Sequence, residues 1–169
     1  LNATLLETMQ NAAELGYQGR YERLAPMLEE SYAFPFMTRI AIGPAWRDLD
    51  RDQRARITEL FTHMSVATYA ARFDGYGGER FEILGEEPAP RDTVLVHSRI
   101  VLRDKEPVEL SYLMKQFDGE WRIIDVLLDA RYSELARQRA EFAAVLRDGG
   151  VPDLVATLER KIAQLTAES

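Results

Sequence analysis

The chain has 169 residues, 46% of them hydrophobic, and a formal net charge of −7. That length supports one domain with a substantial core, and the acidic balance argues against a nucleic-acid binder, which needs a basic face. Cysteine is absent and only two histidines are present, far apart in sequence, so disulfides, thiolate nucleophiles and a histidine metal site drop out. No apolar run reaches the roughly 18 residues of a membrane span.

Residues 2–16 place Leu5, Leu6, Met9, Ala12 and Ala13 at helical spacing, with Gly16 as the stop. A second helix is predicted over 20–30, with Tyr21, Leu24, Ala25 and Leu28 on one face. Pro26 is expected within its first two turns, since proline deeper in a helix removes a hydrogen bond and clashes with the preceding turn. Residues 31–46 are apolar almost all round. They predict a short helix over 34–42, closed by Gly43 and Pro44, that is buried or faces a ligand. Asp50 with Gln53 three residues on resembles a capping box and opens a long helix to 71–73. Its stripe is Ile57, Leu60, Phe61, Met64, Ala67, Thr68 and Ala71. Gly75, Gly77 and Gly78 form a turn; no Lys-Ser/Thr follows, so this is not a phosphate loop.

Four strands follow, over 79–87, 92–103, 106–117 and 120–128, with a turn over 103–106. Consecutive strands imply an antiparallel meander. Asp118 and Gly119 sit between two apolar runs and mark a tight hairpin. Both faces of this hairpin are unusually apolar. Leu110, Tyr112 and Met114 share one face, with Leu113 on the other. Simple alternation puts Ile123 with Leu127, and Ile124 with Val126 and Leu128. Such a hairpin needs cover on both sides, or cover on one side and an apolar cavity on the other. Ser133 is a good N-cap for a helix to about residue 147. Gly149 and Gly150 stop it, and Pro152 suits the first turn of a last helix carrying Leu154, Val155, Leu158, Ile162 and Leu165.

The expected architecture is α+β in a single domain over 1–169. Residues 1–74 are mainly helical, 79–128 form a curved four-stranded antiparallel sheet, and 133–166 form two C-terminal helices. Helices across the mouth of such a curved sheet make a cone, and cones of this kind enclose pockets. Asp125, mid-strand between apolar neighbours, is the sharpest candidate residue, because a buried carboxylate needs partners. One reading makes it the general base of an isomerase or dehydratase, with Tyr112 or His97. The other pairs it with Arg39 or Arg139 to pin a helix on the sheet, and we favour this one. No catalytic residue, metal ligand or cofactor is therefore assigned. Arg131, Arg137, Arg139 and Arg147 read as a solvated face whose stems cover apolar surface.

Several segments together resemble the toluene-tolerance Ttg2D/MlaC family of periplasmic lipid-binding proteins, and within it the hopanoid-biosynthesis-associated branch, HpnM. They are Met37-Thr38-Arg39 with Gly43 and Trp46; Tyr69 to Phe73 with Tyr76; the Gly77-Gly78-Glu79-Arg80-Phe81 turn; Trp121-Arg122-Ile123-Ile124-Asp125-Val126; Ser133-Glu134-Leu135-Ala136; and Gln138-Arg139 with Glu141-Phe142. One departure is Ala130, where the family pattern leads us to expect glycine. The resemblance implies a cone like that of nuclear transport factor 2 and a helical subdomain. It further implies an apolar cavity for lipid tails, a hopanoid or phospholipid cargo, and an inner-membrane lipid transporter complex as partner. It also implies export to the periplasm with a signal peptide removed, which fits a chain starting at Leu1. We expect a monomer. From the predicted inward faces, the residues expected to line the cavity are Met37, Ile40, Ala41, Trp46, Phe61, Met64, Tyr69, Phe73, Val96, Ile100, Leu110, Tyr112, Met114, Ile123 and Phe142.

Overall fold

The computed structural model describes residues 1–103 and 105–167, which form five helices and one five-stranded antiparallel sheet. Helix α1 spans Asn2–Gln10 and α2 spans Ala12–Ser31. Gly16, at φ 59 and ψ −176, breaks the helical backbone inside α2, so the expected stop is a kink. Pro26 lies deep in α2 rather than in its first turns. It is exposed, and water can satisfy the carbonyl that its missing N–H leaves free. Arg20 is 4% exposed and donates from Nε to the Ala70 carbonyl at 2.8 Å. A buried guanidinium thus caps the C-terminal end of the long helix, where the backbone dipole favours positive charge.

Helix α3 spans Phe34–Ile42 and ends where Gly43 takes φ 68; a 3₁₀ turn, Gly43–Asp48, follows. Helix α4 spans Arg51–Arg72. Its capping box is complete: the Gln53 N–H donates to the Asp50 carboxylate at 2.8 Å and the Asp50 N–H to the Gln53 side chain at 3.0 Å.

The strands are β1 (Arg80–Ala89), β2 (Thr93–Val101), β3 (Val108–Phe117), β4 (Glu120–Leu128) and β5 (Tyr132–Ser133), hydrogen-bonded in sequence order. The fifth strand corrects the expected four. Two residues pairing with Leu127 and Leu128 are too few to leave a period-two signature in sequence. The turn expected over 103–106 includes Asp104, which lies outside the described residues. Asp118 (φ 49) and Gly119 (φ 88) both take positive φ between paired Phe117 and Glu120, the two-residue hairpin read from sequence.

A bulge in β4 decides which side chains face the helices. Leu113 pairs with Asp125 but Met114 pairs with Ile123, leaving Ile124 as the extra residue. The inserted residue reverses the alternation, so Ile123 shares a face with Val126 and Leu128, contrary to simple parity. The short β5 leaves the outer edge of β4 open at this level. There the Ala33 N–H donates to the Ile123 carbonyl at 2.9 Å, docking the end of α2 on the sheet.

Helix α5 spans Glu134–Ala167 and breaks at Gly150 (φ 69, ψ −160), just before Pro152. Helices α2, α3 and α5 pack on the sheet on the side carrying Leu110, Tyr112 and Met114, α4 packs on those helices, and a core that includes Leu28, Phe34, Phe61, Ile123 and Phe142 fills the space between. The opposite face is polar by comparison. On it Arg99 pairs with Glu82 at 2.7 Å, and His97 meets Ser111 at 3.1 Å and Glu87 at 3.3 Å.

The β4–β5 turn holds Asp129 at φ 50 and Ala130 at φ 53. A Cβ in this left-handed region costs about 1–2 kcal/mol, of which glycine's greater freedom in the unfolded chain returns part. Ala130→Gly is therefore expected to stabilise the protein by about 0.5–1 kcal/mol, read as a small rise in the thermal unfolding midpoint.

Candidate functional site

The helices do not pack down on the whole sheet face. Towards one end they leave a cavity of about 320 Å³. Its floor is Ile100, Val108, Leu110, Val126 and Leu128 from the sheet. Tyr32, Phe34 and Met37 wall one side, and Tyr69 and Phe73 from the end of α4 wall another. Leu135 and Gln138 from the first turns of α5 close it. Tyr69 and Phe73 stack with their rings 10° apart and 5.5 Å between centroids, and Phe81 lies 6.3 Å beyond Phe73. Two hydroxyls in the wall are turned back on their own helix: Ser65 donates to the Phe61 carbonyl and Thr68 to the Met64 carbonyl, both at 2.8 Å. The lining is therefore largely apolar, the composition of a small-molecule site.

A second, polar cleft of about 250 Å³ adjoins this cavity. Thr68, Arg72, Glu134 and Gln138 belong to the walls of both. The cleft adds Arg137, Glu141 and Lys161, with Met64 and Phe142 at its base. The apolar cavity and the charged cleft thus share one wall.

Five of the residues expected at a cavity line it: Met37, Tyr69, Phe73, Ile100 and Leu110. Met64 and Phe142 line the adjoining cleft instead. Ala41, Phe61, Tyr112 and Ile123 are buried in the core. Phe61 meets Phe34 and Phe142 edge-on, each at 6.4 Å, and these rings fill the centre of the helical layer. Ile40, Val96 and Met114 pack at the margin of that core, and Trp46 lies under the Arg54 guanidinium at 5.5 Å. Their inward faces were legible, but only one end of the inward surface is hollow. Sequence reasoning missed Val126 and Leu128, whose face depends on the bulge. It also missed Arg72, whose sole signal in the sequence is a cation at the end of an apolar helical stripe.

Asp125 has neither of the roles expected of it. It is 9% exposed. Its carboxylate accepts from the Ser133 hydroxyl at 2.5 Å, the Val126 N–H at 2.8 Å and the Leu135 N–H at 3.1 Å. Ser133 in turn accepts from the Ala136 N–H at 2.9 Å. Asp125 and Ser133 together cap α5, and the carboxylate sits at the positive end of the helix dipole. The expected ion pair is replaced by this cap: among the described residues no Arg or Lys pairs with Asp125, and Arg139 lies instead beside Gly43. Nor do the proposed catalytic partners converge. His97 pairs with Ser111 and Tyr112 with Val96, which puts His97 and Tyr112 on opposite faces of the sheet.

The buried phenols are held neutral. Tyr32 and Tyr69 share a short hydrogen bond between their hydroxyls. Burial pushes the Tyr32 hydroxyl well above the ordinary tyrosine range, with the neighbouring phenols adding to it. Burial also raises Tyr112 and Tyr69; for Tyr69 the bond to Tyr32 and then the charge of Arg72 oppose the rise. Phenols held in this state donate and accept hydrogen bonds but supply no base at neutral pH.

No helix among the described residues is long and apolar enough to cross a membrane. No group of three or more His, Asp or Glu among them is placed to hold a metal ion. Among curated proteins none matches the chain. Among solved structures, the chain is similar to a phospholipid-binding protein from Ralstonia solanacearum, solved in complex with a phospholipid. The TM-score is 0.82 with 23% identity, covering 97% of each chain, which establishes a shared fold. Residues 1–160 match the family described as MlaC protein, a span that includes every wall of the cavity and all but the last part of the cleft, and on that match the chain belongs to the MlaC family.

Proposed function

We propose that this protein is a periplasmic lipid carrier. It takes a membrane lipid into the cavity between α4, α5 and the sheet, and moves it through water between membranes or membrane transporters. The observation that carries this reading is the apolar cavity sharing a wall with a polar cleft, an arrangement that suits an amphiphile. Membership of the MlaC family and the likeness to a structure holding a phospholipid support it.

The mechanism is partition rather than bond-making. Each lipid methylene buried out of water contributes about 0.8 kcal/mol. Relative to a bilayer the same burial is worth almost nothing, because the tails are already in an apolar medium. The carrier therefore holds its cargo across an aqueous gap yet is not trapped full, and unloading needs a docking partner that opens the mouth. An inner-membrane lipid transporter complex suits that part. At about 320 Å³ the cavity is at the small end of the roughly 300–1,000 Å³ usual for ligand pockets. A long chain enters by displacing wall side chains, of which Met37, unbranched and flexible, is the one expected to repack most readily. A phospholipid is the cargo we favour. A hopanoid is the competitor, given the resemblance to the HpnM branch, and its flat rings would lie against the stacked Tyr69 and Phe73.

Mass spectrometry of a lipid extract from protein purified out of its native compartment is expected to show one hydrophobic ligand at near-stoichiometric amount. A phosphorus-containing mass identifies a phospholipid and a polycyclic triterpenoid mass a hopanoid. Protein that is folded, empty and unable to take up either lipid would overturn the reading.

A further inference from the structure

We infer that Arg72 is the residue that binds the phosphate of the cargo's head and so sets the carrier's preference for a phosphate-bearing lipid over a neutral one with the same chains. This rests on the lipid-carrying reading above and narrows it.

Three observations converge on Arg72. The first is position. Arg72 is in the last turn of α4, three residues from Tyr69, and forms part of the wall of both the cavity and the cleft. A group bound there is in reach of the point where an apolar tail would emerge.

The second is charge. The cleft walls hold three cations, Arg72, Arg137 and Lys161, against two carboxylates, Glu134 and Glu141. Arg137 pairs with Glu134 at 2.9 Å and with Glu141 at 3.6 Å, while Lys161 pairs with Glu141 at 2.8 Å. Both carboxylates are therefore committed to other cations. The side chain of Arg72 makes no hydrogen bond or ion pair with any described residue. Of the cleft's three cations Arg72 is thus the one without a carboxylate partner among the described residues, and Asp125, the further carboxylate of the cavity wall, is taken up by the cap of α5.

The third is donor geometry. A guanidinium presents a planar fork of N–H groups that matches two phosphate oxygens, and it stays charged at every accessible pH. Gln138, also in both walls and also without a side-chain partner among the described residues, offers an amide N–H on the facing helix. The dipole of α4 accounts for a cation in its last turn. It does not account for that cation standing at the junction of an apolar chamber and an otherwise neutralised cleft. A neutral polycyclic cargo would leave Arg72 unused.

The test compares two lipids with the same acyl chains, phosphatidylglycerol and diacylglycerol, taken up by delipidated full-length protein and quantified by native mass spectrometry. Wild type is expected to prefer phosphatidylglycerol by about tenfold or more, the scale of one charge-assisted hydrogen bond. In Arg72→Gln that ratio is expected to fall to within about twofold, and in Arg72→Lys, which keeps the charge but loses the fork, to lie between. A ratio unchanged in folded Arg72→Gln, or a wild type without preference, overturns the inference and leaves lipid carriage standing. Uptake of neither lipid by folded wild type overturns both. Inorganic phosphate alone, titrated into delipidated protein and followed by calorimetry, is expected to give no saturable response. A saturable response lost in Arg72→Gln would make this a site for the free anion and overturn its assignment to a lipid head.

Discussion

Asp125→Ala is expected to lower stability by about 3 kcal/mol, because three donors lose one acceptor group at once. The Leu135 N–H loses its partner in a buried setting, the Val126 N–H and Ser133 hydroxyl lose theirs, and the start of α5 loses a negative charge at its dipole. For a chain of this size that corresponds to a fall of roughly 6–12 °C in the unfolding midpoint. Asp125→Asn keeps one acceptor oxygen and is expected to lose about half as much. Circular dichroism melts measure both. The same proteins, assayed for lipid uptake in the folded fraction, separate a cap from a ligand contact. Asp125 also borders the cavity, so a variant that melts normally but fails to take up lipid would sink the structural assignment.

Leu110→Trp is expected to weaken lipid uptake by roughly fiftyfold. Leu110 is half-buried and lies on the cavity floor, so an indole has a void to enter instead of a filled core to strain. Displacing about three methylenes of cargo forfeits ~2.4 kcal/mol, which sets that factor. The unfolding midpoint is expected to move little. Ile123→Trp is the contrasting variant. Ile123 is 3% exposed in the core, and the same bulk there overpacks and destabilises by about 1–3 kcal/mol. If Leu110→Trp binds like wild type, the cargo does not occupy this cavity.

The sequence alone determined most of the elements and their order, though not the two-residue β5 or the division of α1 from α2 at Asn11. The capping box at Asp50, the stop at Gly43, the Asp118–Gly119 hairpin and the break at Gly150 rest on local backbone chemistry that any tertiary setting must respect. Ala130 belongs with them: expected glycine from the family pattern, it proves to hold a left-handed backbone with a side chain attached. The apolar excess on both faces of the β3–β4 hairpin was also legible as a demand for cover or a cavity. Three matters were decided only in the folded molecule. The bulge at Ile124 reversed which residues of β4 look inward, because one inserted residue leaves composition and propensity unchanged. The partners of Asp125 turned out to be backbone N–H groups and Ser133, because a cap is made wherever the next helix happens to begin. Which inward residues border empty space was settled by how the aromatic rings of α3, α4 and α5 meet. Periodicity gives the direction of a side chain, and only packing gives what it meets there.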